Sequence, residues 1–99
     1  MIHDLSFCGL ITIQFQCGCR IDLKVFFREN AVTMMERQVI PVERKLCNKH
    51  KDLKPSKINW ISILEDVMKQ HHCLTYLELL DEYDYAEINE NIENFTLEG

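Results

Sequence analysis

The first third of the chain alternates between apolar and polar residues in two consecutive runs, residues 10–17 and 20–27. One face of each run is apolar throughout, at positions 11, 13, 15 and 17 in the first run and 21, 23, 25 and 27 in the second. Because side chains two positions apart in an extended backbone share a face, each run predicts a half-buried strand. Gly18 lies between the runs and permits a tight turn. The pattern therefore predicts an antiparallel hairpin that closes near Cys17–Cys19.

A third strand is predicted for residues 38–46. Pro41 has no backbone N–H to donate, which predicts an edge position or a bulge. Glu29-Asn30 marks the turn before this strand, and residues 31–37 fit either a strand or a short helix. If the third strand pairs back along the second, Cys47 lies beside the hairpin tip.

The periodicity changes to a helical one in the C-terminal half. Apolar residues at positions 60, 61, 64, 67 and 68 recur at helical spacing, and Ser56 or Asn59 can serve as the N-cap. Thr75 to Glu78 has the pattern of a capping box, which predicts the start of a second helical segment. A further apolar stripe through positions 77, 80, 88, 92 and 95 favours helix to the end of the chain, although Asp84 interrupts it.

These patterns predict an α+β fold in which a small antiparallel sheet precedes C-terminal helices. Ninety-nine residues suit a single domain spanning 1–99, with a β part at 10–51 and a helical, acidic part at 56–95. A chain of this size buries a modest core, so a metal ion that joins distant segments would help it fold.

Two short cysteine-containing stretches point to that metal ion: Cys17-Gly18-Cys19 and Cys47-Asn48-Lys49-His50. The two cysteines of the first stretch share a face of the extended backbone, and each stretch borders a predicted strand. Three thiolates and one imidazole are a ligand set that tetrahedral zinc takes in structural sites. The predicted metal ligands are therefore Cys17, Cys19, Cys47 and His50. Such a set leaves no open position, so the zinc would be structural and coupled to folding.

Other interpretations of these residues stay open at this point. Cys17 and Cys19 could be small buried thiols, with His50 in a solvated basic loop. His71-His72-Cys73 is a rival source of a ligand, and Cys8 fits a buried thiol. The ligand set also does not distinguish zinc from iron. An odd count of five cysteines argues against a disulfide framework.

The Cys-Gly-Cys hairpin followed by Cys-x2-His-Lys resembles small zinc-binding proteins encoded by bacteriophages. The resemblance covers residues 10–51. It implies a binder directed at a host enzyme or defence complex.

The charges are distributed unevenly along the chain. Residues 1–77 contain all eleven Lys and Arg residues and eight of the sixteen acidic residues, whereas residues 78–99 contain the other eight acids and no Lys or Arg. Aromatic anchors within a charged rim are typical of protein interfaces. We therefore expect a protein partner at the acidic end, bound through Tyr83, Tyr85, Glu87, Glu90 and Glu93.

Two alternatives to a protein partner follow from the same sequence. Positive charge around the predicted metal loop favours nucleic-acid binding through Arg44, Lys45, Lys49 and Lys51. The chain could also be a structural subunit of a larger assembly.

Catalysis, a membrane span and secretion are not expected from this sequence. It contains no phosphate-binding loop or dinucleotide fingerprint, and its Cys–His pairs are assigned to the metal. No run of about 18 apolar residues and no basic signal region is present. We therefore expect a non-enzymatic regulatory or inhibitory protein of the cytoplasm, or of the host cytoplasm if it is viral.

Overall fold

The computed structural model describes residues 6–29 and 35–96 and shows a four-stranded sheet with a helical layer on one face. The strands, in chain order, are β1 (Ser6–Phe15), β2 (Arg20–Glu29), β3 (Met35–Lys45) and β4 (Tyr85–Ile88). The helices are α1 (Trp60–Gln70) and α2 (Tyr76–Glu82), and 3-10 turns span Asn48–His50, Pro55–Lys57 and Ile92–Phe95. The predicted α+β class, with helices after the first three strands, is confirmed.

β1 and β2 form the predicted antiparallel hairpin, with Ile13 opposite Ile21. The connecting turn is closed by two backbone hydrogen bonds. The Gly18 N–H donates to the Phe15 carbonyl at 2.9 Å, and the Phe15 N–H donates to the Cys19 carbonyl at 2.8 Å. Gly18 has a φ of 101°, a conformation that glycine adopts without the steric penalty of a side chain.

β3 pairs antiparallel with β2 and forms one edge of the sheet, in the order β3-β2-β1-β4. A bulge lies where Asp22 and Leu23 pair with Glu43 and Pro41, so Pro41 has the predicted edge and bulge position. β3 begins three residues before its predicted start. The predicted turn at Asn30 and the ambiguous residues 31–34 lie outside the described residues.

β4 corrects the prediction of helix to the end of the chain. Residues 85–88 instead pair in parallel with residues 12–15 of β1. Ala86 and Ile88 are buried and Tyr85 and Glu87 are exposed, which is the alternation of a strand. The spacing of the apolar residues in this segment is compatible with a helix and with a strand. The segment forms a strand because it pairs with the edge of β1 that β2 leaves free.

Both helices begin at the predicted caps. The Asn59 side-chain oxygen accepts a hydrogen bond from the Ser62 N–H, and the Thr75 hydroxyl accepts one from the Glu78 N–H, each at 3.1 Å. α2 ends at Glu82, before the Asp84 that interrupts the predicted stripe. Within the described part of the chain, neither helix is long and apolar enough to span a membrane.

The core lies between one face of the sheet and the helical layer. The sheet contributes alternate residues of β1 and β2, which are almost fully buried: Ile11, Ile13, Phe15, Ile21, Leu23 and Val25. The helical layer and the last 3-10 turn contribute Ile63, Leu64, Val67, Leu79, Ile92 and Phe95. This packing fixes the hairpin, and with it the turn that carries the first cysteine pair.

Candidate metal centre

The four predicted ligands meet at one end of the sheet. One donor atom from each of Cys17, Cys19, Cys47 and His50 lies within 4.8 Å of the others. The Cys19 and Cys47 sulfurs are 3.6 Å apart, and His50 Nδ1 lies 3.5 Å from the Cys19 sulfur and 3.2 Å from the Cys47 sulfur. Two segments that are distant in sequence therefore present a common set of soft donors.

These separations match the edges of a metal-centred tetrahedron. Zinc–sulfur bonds of about 2.3 Å and zinc–nitrogen bonds of about 2.0–2.1 Å give edges of about 3.8 Å between sulfurs and about 3.6 Å between sulfur and nitrogen. The observed distances lie within about 0.4 Å of these values. A disulfide would need about 2.05 Å between sulfurs, and all five cysteines are free. The donor set thus fits one metal ion.

The hairpin turn positions the first pair of ligands. Gly18 reverses the chain between Cys17, which is half-buried, and Cys19, which is buried. A Cβ atom added at Gly18 would lie 4.0 Å from the Cβ of Cys47, so space is available there. The backbone conformation, rather than crowding, accounts for glycine at this position.

The loop after β3 positions the second pair. Arg20 of β2 pairs with Lys45 of β3, which directs the following residues toward the hairpin turn. The Cys47 N–H donates to the Cys19 sulfur at 3.4 Å, and the His50 N–H donates to the Cys47 carbonyl at 3.0 Å. The resulting 3-10 turn places Cys47 and His50 on the same side of the loop.

Glu93 completes the centre from a third part of the chain. His50 is 5% exposed, and its Nε2 lies 2.8 Å from Glu93 Oε2. Because an ionised carboxylate only accepts hydrogen bonds, Nε2 carries a proton, and loss of the Nδ1 proton leaves a lone pair there that can bind a metal ion. A carboxylate on the distal nitrogen is the usual partner of a metal-binding histidine. Lys49 also contacts Glu93, at 3.4 Å.

The pKa values of the Cys19 and Cys47 thiols are shifted in opposite directions. Burial raises the pKa of the Cys19 thiol to about 12. Burial also acts to raise the pKa of Cys47, but hydrogen bonds from Cys19, His50 and two backbone N–H groups lower it to about 7. One thiolate forms readily, and ionising a second sulfur beside it needs a nearby cation.

The hydrogen bond between His50 and Glu93 shifts the pKa values of both groups. The hydrogen bond to Glu93 raises the pKa of His50 against the opposing effect of burial. The hydrogen bond from His50, together with Lys49, lowers the pKa of Glu93. Glu93 is therefore ionised at neutral pH and oriented toward the imidazole.

The rival ligands lie elsewhere. His71 stacks on Tyr83 with a ring-centroid distance of 3.9 Å, and His72 is exposed with a φ of 57°. The Cys73 thiol contacts the His71 carbonyl at 3.8 Å, and the Cys8 thiol contacts the Ser6 carbonyl at 3.2 Å. None of them belongs to the group of candidate ligands found in residues 6–29 and 35–96.

The five residues predicted to bind a protein partner do not form one helical face. Tyr83 follows α2 and is half-buried, whereas Tyr85 and Glu87 are exposed on β4. Glu90 is exposed in the turn after β4, and Glu93 belongs to the metal centre. Sequence analysis missed the role of Glu93, because no local spacing connects it to His50.

The four predicted nucleic-acid contacts lie on the strand end and the loop that carry Cys47 and His50. Arg44 and Lys45 are exposed at the end of β3, and Lys49 and Lys51 are exposed in the loop that follows. Lys49 is paired with Glu93, which reduces the charge that it offers to another molecule.

No protein-family model, no curated protein and no solved structure matches the chain. The resemblance to phage-encoded zinc-binding proteins stays a prediction.

Proposed function

We propose that the chain is a small non-enzymatic binding module whose fold is held together by a structural zinc ion. The observation that carries the proposal is the set of four donor atoms within 4.8 Å of one another, three of them at near-tetrahedral separations, with Glu93 on the distal nitrogen of His50. Both features belong to structural zinc sites in proteins.

The ligand chemistry favours zinc over other metals. Three thiolates and an imidazole suit zinc, whereas calcium and magnesium require oxygen ligands. Iron–sulfur clusters usually take four cysteines and hold their ligands around several metal atoms. Separations of 3.2–3.6 Å between donors suit a single ion instead.

A structural role is favoured over a catalytic one by the completeness of the ligand set. A catalytic zinc keeps one position for water or substrate, and here four protein ligands would fill the coordination sphere. The Cys47 thiolate and the His50 ring, which could otherwise act as nucleophile and base, would be bound to the metal.

The zinc ion would join three segments of a small domain. The hairpin turn and the loop after β3 supply its ligands, and Glu93 attaches the turn Ile92–Phe95 through His50. A fold stabilised in this way can present surfaces to a partner without a large core. In this proposal the module acts by binding another macromolecule. The phage resemblance favours a regulatory or inhibitory action on a host enzyme or defence complex.

Metal analysis of the purified protein tests the zinc centre. We expect one zinc per chain, and a cobalt-substituted protein should show the visible spectrum of a tetrahedral thiolate site. The paired substitution Cys17→Ser and Cys47→Ser should abolish metal binding, whereas the control pair Cys8→Ser and Cys73→Ser should retain it. A native protein without stoichiometric metal, or metal retained by the first pair, would overturn the proposal.

Affinity capture tests the binding role separately. The zinc-loaded protein should retain a specific partner from a lysate of its native source, and the Cys17→Ser, Cys47→Ser variant should not. If charge reversal at Glu87 and Glu90 releases the partner, it binds at the acidic surface expected from the sequence. Turnover of a substrate by the zinc-loaded protein would contradict a non-enzymatic role.

A further inference from the structure

The sheet has a second face that the helical layer does not cover, called here the open face. The open face includes these outward side chains of the four strands: Phe7, Leu10, Thr12, Gln14, Arg20, Asp22, Lys24, Phe26, Ile40, Tyr85 and Glu87. They are all exposed or half-buried, in contrast to the buried residues that alternate with them. None of these residues belongs to the metal centre.

Aromatic rings occupy two places on the open face. Phe7 and Phe26 form an edge-to-face pair with centroids 5.4 Å apart, and Phe7 is 56% exposed. Tyr85 of β4 is 37% exposed. Tyr85 is level with Thr12 of β1, and the β2 partners of Thr12 and Phe7 are Asp22 and Phe26, so Tyr85 lies about 13 Å from Phe7 along the strand direction. The rings are far enough apart to contact different groups of an extended ligand.

A cation accompanies each aromatic site. Lys24 Nζ lies 6.0 Å from the Phe7 ring centroid, and the Arg20 guanidinium lies 5.7 Å from the Tyr85 ring centroid. Exposed rings alternating with Lys and Arg on a sheet are the arrangement on which proteins stack unpaired bases while they contact phosphates.

More positive charge borders the open face at its metal end. Arg20, Arg44 and Lys45 line a surface pocket together with Asp22. Arg20 directly follows the ligand Cys19, and Lys45 lies two residues before Cys47, so the metal centre would hold this group of cations in place. The acids on this face already have polar contacts: Asp22 accepts from the Thr12 hydroxyl at 2.8 Å, and Glu87 lies 3.4 Å from the Tyr85 hydroxyl.

We propose that the open face binds single-stranded nucleic acid. Bases would stack on Phe7, Phe26 and Tyr85, and the backbone phosphates would contact Lys24, Arg20 and the cations beside it. This inference rests on the binding role proposed above and deepens it by naming a partner class, and it uses the arrangement of the strands as the structure has it. It shares Arg44 and Lys45 with the sequence-based alternative, but it places the bases on the sheet and not on the metal loop.

The open face fits single strands better than two other partners. Duplex DNA keeps its bases stacked inside, where protein rings cannot reach them, so it would use the cations alone. A second copy of the chain would bury Arg20, Asp22 and Lys24 in the middle of an interface, a region from which charged residues are usually depleted.

Fluorescence anisotropy with labelled oligodeoxyuridine, oligouridine and a duplex of equal length tests the proposal. We expect the zinc-loaded protein to bind both single strands more tightly than the duplex. Affinity should fall as salt rises from about 50 to 200 mM. Phe7→Ala should weaken binding about tenfold through lost stacking, and Lys24→Glu should weaken it and reduce the salt dependence.

Matched substitutions on the helical layer serve as controls. Leu77 and Lys69 are exposed on α2 and α1, on the other side of the sheet. Leu77→Ala and Lys69→Glu should leave the affinity unchanged within twofold, and all four variants should remain folded at the temperature of the assay. Comparison of oligodeoxyuridine with oligouridine then shows whether the ribose hydroxyl contributes.

Several outcomes would overturn the proposal. They are absence of single-strand binding, equal or tighter binding of the duplex, and an equal loss in the control variants. A concentration-dependent dimer that Phe7→Ala disrupts would instead assign the open face to self-association. Stoichiometric zinc without single-strand binding refutes this inference alone, whereas single-strand binding without zinc refutes the metal proposal and leaves this one standing.

Discussion

At one end of the β1–β2 hairpin the turn Cys17–Cys19 meets Cys47 and His50, whereas the other end meets apolar side chains of α2. There Tyr76 lies edge-to-face on Phe27 at 6.4 Å, and Leu80 lies close to Gly9. The ends of β2 are about 30 Å apart. At the metal end, a few donor atoms in fixed positions would hold the segments together through one ion. At the α2 end, the packing of buried apolar side chains holds the segments together. The two ends should therefore respond to different substitutions.

Removal of the metal is expected to have the largest effect. A chelator should lower the melting temperature by about 10 °C or more, because metal binding and folding are coupled. Acidification should also release the metal, since protons compete for the thiolates and the imidazole, so metal affinity falls as the pH falls. Thermal melts with and without chelator, and metal release followed against pH, measure both effects. A melt that a chelator leaves unchanged would contradict a metal-dependent fold.

Shortening Leu79 in α2 should be the next largest effect. This side chain is 1% exposed, and Leu79→Ala should lower the free energy of unfolding by about 2–5 kcal/mol through lost burial and the cavity that remains. The zinc content and the cobalt spectrum should not change, because the substitution acts at the opposite end of the hairpin. Denaturant unfolding and metal analysis of the same sample check both statements. Leu77→Ala, at an exposed position of the same helix, is the control and should change stability by less than about 0.5 kcal/mol.

Substitution of Glu93 tests how the metal end is supported. Glu93→Gln keeps an acceptor oxygen but removes the negative charge beside His50, and it should weaken zinc affinity about 10–100-fold. Glu93→Ala should weaken it further, because the Nε2–H then loses its acceptor. Competition with a chelator of known affinity measures the change. Glu90→Gln, on a nearby exposed acid, should leave zinc affinity unaltered, and an equal loss there would assign the effect to net charge instead.

The contrast between the two ends also explains how far the sequence could predict the structure. The hairpin, the helix caps and the four ligands arise from patterns within a few residues, such as the alternation around Gly18 and the Thr75–Glu78 capping pattern. β4 and Glu93 depend on contacts with β1 and His50, which are distant in sequence and leave no local signal. Ile88 and Ile92 have a spacing that is compatible with a helix, but the backbone around Ile88 forms a strand because it pairs with β1.

The smallest loss of stability is expected from substitution of Gly18. This residue contributes to the metal end only through its backbone conformation. Gly18→Ala adds a side chain to a residue with a φ of 101°, and it should lower the free energy of unfolding by about 1 kcal/mol. Gly18→Asn should lower it less, because asparagine tolerates positive φ better than alanine does. A Cβ has room beside Cys47, so both variants should still bind one zinc per chain. Denaturant unfolding of the zinc-loaded variants measures the change, and an alanine variant as stable as the parent would show that the turn relaxes to another conformation while the four ligands stay in place.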